Sequence, residues 1–321
     1  MKNTISGLHH VTAIAGDPQR NLDFYVGTLG LRLVKRTVNF DDPGTYHFYF
    51  GDGPGSPGTI LTFFPWPGAR PGRKGTGEVE ATTFAINPDS VGYWTDRLKT
   101  EGIFTQQVDS RFGSEVIRFL DPDGMTLELI ASSSIGGVEP WADSPVPVEH
   151  SLQGFHSVTA AVEGYERTAR LLTETFGYQL TAEEGNRFRF TAQSDATSPG
   201  QIVDLLCIPD TRHAASGAGS VHHIAFRALD DAQQREWRQE VANLGFSVSP
   251  VMDRTYFHSI YFREPGGVLF EIATDPPGFT LDETIEELGT HLKLPPQYES
   301  GRSRIEQILQ PIQVPTKESG A

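Results

Sequence analysis

Apolar and polar positions alternate along short runs of this chain, and one order of signals recurs four times. Each copy opens on an alternating strand. An amphipathic helix follows, then a glycine turn and further strands. The first copy runs from "GLHHVTAIAGDPQRNLDFYVGTLGLRLVKR" to "YHFYFGDGPGSPGTILTFFP", and the second from "VEATTFAINPDSVGYWTDRLKTEGI" to "SEVIRFLDPDGMTLELIA". The third runs from "LQGFHSVTAAVEGYERTARLLTETFGYQL" to "PGQIVDLLCIP", and the fourth from "SVHHIAFRALDDAQQREWRQEVANLGFSV" to "HSIYFREPGGVLFEIATD". In the first copy Asp17 suits a helix N-cap and Pro18 the first helical position. Leu22, Phe24, Tyr25 and Leu29 form the apolar face of that helix. The pattern is βαβββ, with a repeat of about seventy residues, longer than solenoid periods.

Between the second and third copies lies "SSSIGGVEPWADSPVPVEH", rich in Ser, Gly and Pro. Such composition marks a boundary. The expected organisation is an N-terminal domain over 1–135, a linker over 136–150, a C-terminal domain over 151–276 and a tail over 277–321. The tail carries two short helical patterns, "LDETIEELGTHL" and "SRIEQILQ", separated by Pro295 and Pro296.

Composition narrows the function classes. The chain has 321 residues, enough for a sizeable core, and a net charge of −15. An acidic surface repels nucleic acid and anionic membranes, so neither is expected as a partner. Its single cysteine, Cys207, excludes an internal disulfide and a CxxC metal site, and "IVDLLCIP" reads as a buried strand. No stretch has the length of a signal peptide core or a membrane span, so a cytoplasmic protein is expected. A homo-oligomer is left open.

Two βαβββ units side by side make a curved eight-stranded sheet around a cleft. With the strand openings "GLHHVTAI" and "VHHIAF", the helix end "LDFYVGTLGL" and the closing "DPDGMTLELI" and "EPGGVLFEI", residues 7 to 275 resemble the vicinal oxygen chelate superfamily. The resemblance implies an α+β fold: four βαβββ modules forming two tandem vicinal-oxygen-chelate domains with curved mixed sheets. It also implies metal ligands on the first strand of a module and on its last strand, just after the glycine turn. Gly267 to Glu271, Gly124 to Glu128, Gly200 to Asp204 and Gly58 to Thr62 share one spacing. On the first strands His10 aligns with Ala81, Ser157 and His223, each preceded by His9, Glu80, His156 and His222 respectively.

Neighbouring strand residues point to opposite faces. The superfamily pattern favours His10, with Thr12, and His223, with Ala225, as the inward positions; a shift of one residue would bring in His9 and His222. If module one shared a cleft with module two, or three with four, each cleft would offer one His and one carboxylate. Pairing one with four collects His10, His223 and Glu271, with Thr62 at the fourth position. That is a 2-His-1-carboxylate set. The other cleft would hold Ala81, Glu128, Ser157 and Asp204, and is expected to be metal-free, its carboxylates relics of duplication or hydrogen-bond partners.

Within the superfamily the chain resembles ring-cleaving dioxygenases that open hydroquinones and chlorohydroquinones, through its two HH strands, "DRTYFHSIYFREPGGVLFEI" and "LPPQYES". The resemblance implies Fe(II), with Mn(II) as the second candidate, held by His10, His223 and Glu271. It implies a small aromatic substrate and O2 as partners, and supporting catalytic roles for His9, Thr12, His222, Arg254 and Tyr261. His258 has no assigned role. Two other readings compete: a glyoxalase-type metal-dependent isomerase or lyase, which usually offers four protein ligands, and a metal-free small-molecule-binding protein of the same fold. Thr62 is a poor fourth ligand. A stacking cleft needs no imidazole–carboxylate set.

Overall fold

A computed structural model describes residues 4–133, 135–193 and 197–315. The expected tail over 277–321 therefore lies partly outside the described residues. Module one comprises β1 (Leu8–Ala15), α1 (Pro18–Leu22), β2 (Arg32–Val38), β3 (Tyr46–Gly51) and β4 (Ile60–Pro65). Module two comprises β5 (Glu78–Ile86), α2 (Val91–Thr100), β6 (Thr105–Arg111), β7 (Ser114–Leu120) and β8 (Thr126–Ala131). Module three comprises β9 (Phe155–Val162), α3 (Glu166–Arg170), β10 (Gln179–Glu184), β11 (Arg187–Thr191) and β12 (Ile202–Cys207). Module four comprises β13 (Val221–Ala228), α4 (Asp231–Asn243), β14 (Met252–Asp253), β15 (Phe257–Arg263) and β16 (Leu269–Pro277).

Two eight-stranded mixed sheets result. One has the order β14-β15-β16-β13-β1-β4-β3-β2 and the other β10-β11-β12-β9-β5-β8-β7-β6. Each sheet takes one module from each half of the chain: one with four, two with three. The seams are the antiparallel pairs β1–β13 and β5–β9. The linker thus separates sequence repeats, while hydrogen bonding joins modules across it.

Alternation explains which residues go where. On β3, Phe48 and Phe50 face the helices and join the main apolar core with Leu22, Tyr25 and Phe63. His47 and Tyr49, at the alternate positions, face the cleft. Asp17 caps α1, its side chain accepting from the Arg20 N–H at 2.9 Å, and α1 widens into a π-helical turn over Asp23–Thr28. The four glycines that set the spacing of the last strands, Gly58, Gly124, Gly200 and Gly267, all have positive φ. That conformation costs glycine little, which is why each turn carries one.

The tail straps the first sheet. Its first helical pattern folds as turns rather than a helix. Fully buried Lys35 draws in Asp282, at 2.6 Å, and Glu283. Arg32 donates to the carbonyls of Ile285 and Glu286 that a helix would use internally. The second pattern does form a helix, α5 (Arg302–Ile308).

Candidate metal centre

Register builds the site. His10 on β1 pairs with Ala225 on β13, Ala225 with Glu271 on β16, and Glu271 with Tyr261 on β15. These four residues form one row across the sheet. The Ala225 methyl, between a histidine and a glutamate, leaves space for both longer side chains to converge. His223 reaches the same point from two residues earlier on β13.

His10 Nε2 and His223 Nε2 lie 3.2 Å apart, and Glu271 Oε2 lies 3.4 Å from the first and 2.8 Å from the second. All three residues are buried, and they are the one His/Cys/Asp/Glu group among the described residues whose ligand atoms gather within 4.8 Å. An octahedral cation with bonds of about 2.1 Å has ligand edges of about 3 Å. The three separations fit one face of such an octahedron.

The donor chemistry fits as well. Glu271 Oε1 accepts from Ser259 Oγ at 2.5 Å, whereas buried Oε2 receives no hydrogen bond. A buried carboxylate oxygen without a partner is costly unless a cation meets it. Burial alone would raise the Glu271 pKa, but the His10 and His223 imidazoles outweigh it and hold the carboxyl well below its ordinary range. Burial lowers the His223 pKa, and the Glu271 carboxylate beside it opposes that shift. Neutral imidazole and ionised carboxylate are the forms that bind a metal.

Both HH doublets make the same internal contact. His9 Nδ1 lies 2.9 Å from His10 Nδ1, and His222 Nδ1 lies 2.7 Å from His223 Nδ1. His9 is buried and hydrogen-bonded to the Thr274 backbone; burial, reinforced by His10, holds its pKa well below the ordinary value. Phe257 packs against both His9 and His10, with ring centroids 5.1 and 5.0 Å away. His222 is exposed, unlike the other three.

A cavity of about 210 Å3 opens over the His10 and His223 imidazoles. Phe40, Phe64, Trp66 and Phe257 wall it. Thr12, Arg254 and Tyr261 line it with His222, so every expected site residue except His9 and Glu271 faces the cavity. Arg254 Nε is 3.4 Å from the Tyr261 hydroxyl, and its Nη2 is 3.3 Å from Asp41 on the rim. Burial, and then the Glu271 charge, raises the Tyr261 pKa, so its phenol stays protonated. Arg254 sits in a turn whose next residue, Thr255, has φ of 66°. This left-handed backbone is held by the Asp253 carboxylate accepting from the Thr255 N–H at 2.7 Å.

The stretches "HFYF" and "LTFFPWP" read as rings that could wall the cleft, with most of them in the core. His47, Tyr49, Phe64 and Trp66 face the cavity, Phe48, Phe50 and Phe63 the core, and sequence reasoning assigns no role to His47 or Tyr49. The available signal was alternation: the polar ring and the tyrosine occupy one parity of β3, the phenylalanines the other. His258 stands outside the cavity and pairs with Asp231 of α4 at 2.6 Å. Cys207, expected to be buried, is only half-buried.

The second sheet carries the equivalent positions differently. Glu128 is paired with Arg111, whose Nη2 donates to Oε1 at 2.7 Å, and with Arg118 at 3.4 Å; Thr83 donates to Oε2 at 2.8 Å. Asp204 receives both Nε and Nη2 of Arg189 at 2.9 Å. Guanidinium groups therefore meet both carboxylates. Phe112, with φ of 48°, lies under the Arg189 guanidinium and donates its backbone N–H to Glu184, so the β6–β7 hairpin reaches across to β10 and β11.

Comparison with known proteins agrees with this architecture. The family model described as "Glyoxalase/Bleomycin resistance protein/Dioxygenase superfamily" matches residues 7–129 and 154–272. "Putative ring-cleaving dioxygenase MhqO" of Bacillus subtilis (strain 168) is 46% identical, over 98% of this chain and 99% of the relative. "Chlorohydroquinone/hydroquinone 1,2-dioxygenase" of Sphingobium indicum is 36% identical, over 94% of this chain and 95% of its own. A crystal structure of a "putative dioxygenase" from Bacillus subtilis subsp. subtilis str. 168 superposes with a TM-score of 0.91 at 44% identity, covering 98% of this chain and 99% of that one. Among the described residues no helix is long and apolar enough to cross a membrane. With the repeated βαβββ modules, the paired sheets and these matches, the chain belongs to the Glyoxalase/Bleomycin resistance protein/Dioxygenase superfamily.

Proposed function

We propose that this protein is an Fe(II)-dependent ring-cleaving dioxygenase acting on hydroquinone-type or related dihydroxylated aromatic compounds with O2. The observation that carries the reading is the convergence of His10, His223 and Glu271, three protein ligand atoms with no fourth among the described residues, beneath a cavity walled by aromatic rings. Three ligands on one face leave positions for both a substrate oxygen and O2. Thr62, at the fourth repeat position, is engaged by Thr12 at 2.8 Å and His47 at 2.9 Å. This favours the dioxygenase over a four-ligand isomerase. The names of the two relatives support the same choice.

The cavity suits one ring. An apolar cavity of about 150 Å3 accommodates benzene, so 210 Å3 admits a benzenoid ring with small substituents. Bound Fe(II) supplies the electron density that activates O2; Mn(II) is the second candidate for the same donor set. The reaction breaks a ring carbon–carbon bond beside a hydroxyl-bearing carbon and places both oxygen atoms in the open-chain product. A carboxylate is thereby created, and Arg254, always charged, holds that end of the product. The Tyr261 phenol donates a hydrogen bond to a substrate oxygen. Phe257 and Phe64 exclude water around the ring. His9, anchored on the Thr274 carbonyl, accepts from His10 Nδ1–H and so directs the His10 Nε2 lone pair toward the metal. His222 does the same for His223.

The test is metal analysis of protein purified without air, followed by oxygen uptake on adding hydroquinone. One Fe per chain and one O2 consumed per substrate opened is the expected result. Zn or Ni without oxygen uptake would favour the isomerase, and metal-free protein would favour a binding role.

A further inference from the structure

A second row of register crosses the same sheet beside the His10–Ala225–Glu271–Tyr261 row. Tyr49 on β3 pairs with Thr62 on β4, Thr62 with Thr12 on β1, and Thr12 with His223 on β13. With His47, two residues before Tyr49, this row forms a continuous chain of hydrogen bonds. The Tyr49 hydroxyl is 3.0 Å from His47 Nδ1, His47 Nε2 is 2.9 Å from Thr62 Oγ1, and Thr62 Oγ1 is 2.8 Å from Thr12 Oγ1. All four residues are buried.

The chain has a direction. Tyr49 is a fully buried phenol, and His47 Nδ1 is the acceptor found for its proton among the described residues. Burial keeps Tyr49 protonated and His47 neutral. A neutral imidazole that accepts at Nδ1 carries its hydrogen on Nε2. Nε2–H therefore donates to Thr62, and Thr62 donates to Thr12. Thr12 accepts from Thr62 and keeps its own proton, at the cavity wall beside His10 and His223.

We propose that Tyr49, His47 and Thr62 are positioning residues that fix the Thr12 hydroxyl as a donor aimed into the cavity, toward a negatively charged oxygen of the aromatic substrate. The inference rests on the functional reading above and names residues outside the expected set. It also gives a reason for threonine at 62, where the other three modules carry Glu128, Asp204 and Glu271. A carboxylate at 62 could only accept. It would take the protons of both His47 and Thr12 and turn the terminal donor away from the cavity.

The experiment uses the full Fe(II)-loaded chain under nitrogen and measures hydroquinone binding by calorimetry, with iron content determined in parallel. Thr62→Val keeps the shape and breaks the chain; Thr62→Ser keeps the hydroxyl. We expect Thr62→Val to retain iron and bind about tenfold more weakly, as for the loss of one hydrogen bond to a charged oxygen. Thr62→Ser should bind as the wild type does. Thr12→Val should weaken binding to the same degree, and adding Thr62→Val to it should change nothing further, because residue 62 acts through residue 12. Tyr49→Phe should show a smaller loss in the same direction. Equal binding by wild type and Thr62→Val, or additive losses in the double variant, overturns the positioning role. Failure of the iron-loaded wild type to bind hydroquinone overturns the functional reading and this inference with it.

Discussion

The two sheets present the same repeat positions with opposite outcomes. In the first, Glu271 is buried with one oxygen left without a hydrogen bond, facing two imidazole nitrogens. In the second, Glu128 and Asp204 are equally buried but each meets the fork of an arginine, Arg111 and Arg189. A buried carboxylate needs a cation. One sheet leaves the place for a metal; the other fills it with its own arginines. The difference comes from few residues. Alanine and serine replace the histidines at 81 and 157, and arginines stand at 111, at the end of β6, and at 189, on β11 beside Asp204. The scaffold sets where charge converges, and side-chain identity sets whether a carboxylate meets an internal arginine or two imidazoles.

The comparison can be broken most directly at its two glutamates. Glu271→Gln should lose bound iron and all measurable oxygen uptake, while Glu128→Gln should keep its iron; metal analysis of both decides it. Next in size is the arginine side of the filled cleft. Arg111→Met leaves Glu128 buried with only Arg118 and Thr83, and should lower unfolding free energy by about 3 kcal/mol, measured by urea denaturation. The double variant Arg111→Met/Glu128→Met should recover most of that loss, since an apolar pair needs no compensating charge. No such recovery is expected from apolar replacement around Glu271 in iron-loaded protein, where binding of the ion to the native state itself adds stability.

A titration sharpens the contrast further. His156, buried beside Ser157 in the second sheet, has its pKa lowered to about 4 by burial and then by the Arg189 charge. The unfolded chain takes up this proton near pH 6.5, the native state only near 4. The stabilising contribution is therefore complete above 6.5 and lost as pH falls through that window, on the order of 3 kcal/mol in all. Urea denaturation between pH 7 and 4 should show this slope, and His156→Gln should flatten it. The smallest effect belongs to the rim of the first cleft. Asp41 is exposed and 3.3 Å from Arg254. Exposed pairs contribute little, so Asp41→Asn should change KM by less than about threefold. A larger change would make Asp41 part of substrate recognition.

Much of this was legible in the chain because repeats report on one another. The glycines before the last strands share a conformation, so counting from them aligns Glu271 with Glu128, Asp204 and Thr62. Period-two alternation distinguishes the two members of each HH doublet, and the resemblance to the superfamily favours His10 and His223 over His9 and His222. The arginines that fill the second cleft were not legible, since nothing local distinguishes Arg111 or Arg189 from a surface arginine; their burial depends on strands that meet only in the folded sheet. The first tail pattern misled for a related reason. "LDETIEELGTHL" has helical spacing, but buried Lys35, far away in sequence, draws its acidic residues into turns.

Sequence alone determined the βαβββ repeat, the parity of each strand and the candidate ligand types, because strand periodicity and glycine turns are local properties. It also made pairing of modules one and four the arrangement that gathers two histidines with a glutamate. Tertiary structure decided the rest: that Ala225 stands between His10 and Glu271 in one row, that each HH doublet touches through its Nδ1 atoms, and that His47 and Tyr49 join Thr62 beneath the cavity. Those are cross-strand contacts set by register, and register between strands distant in sequence is a property of the sheet rather than of any one strand.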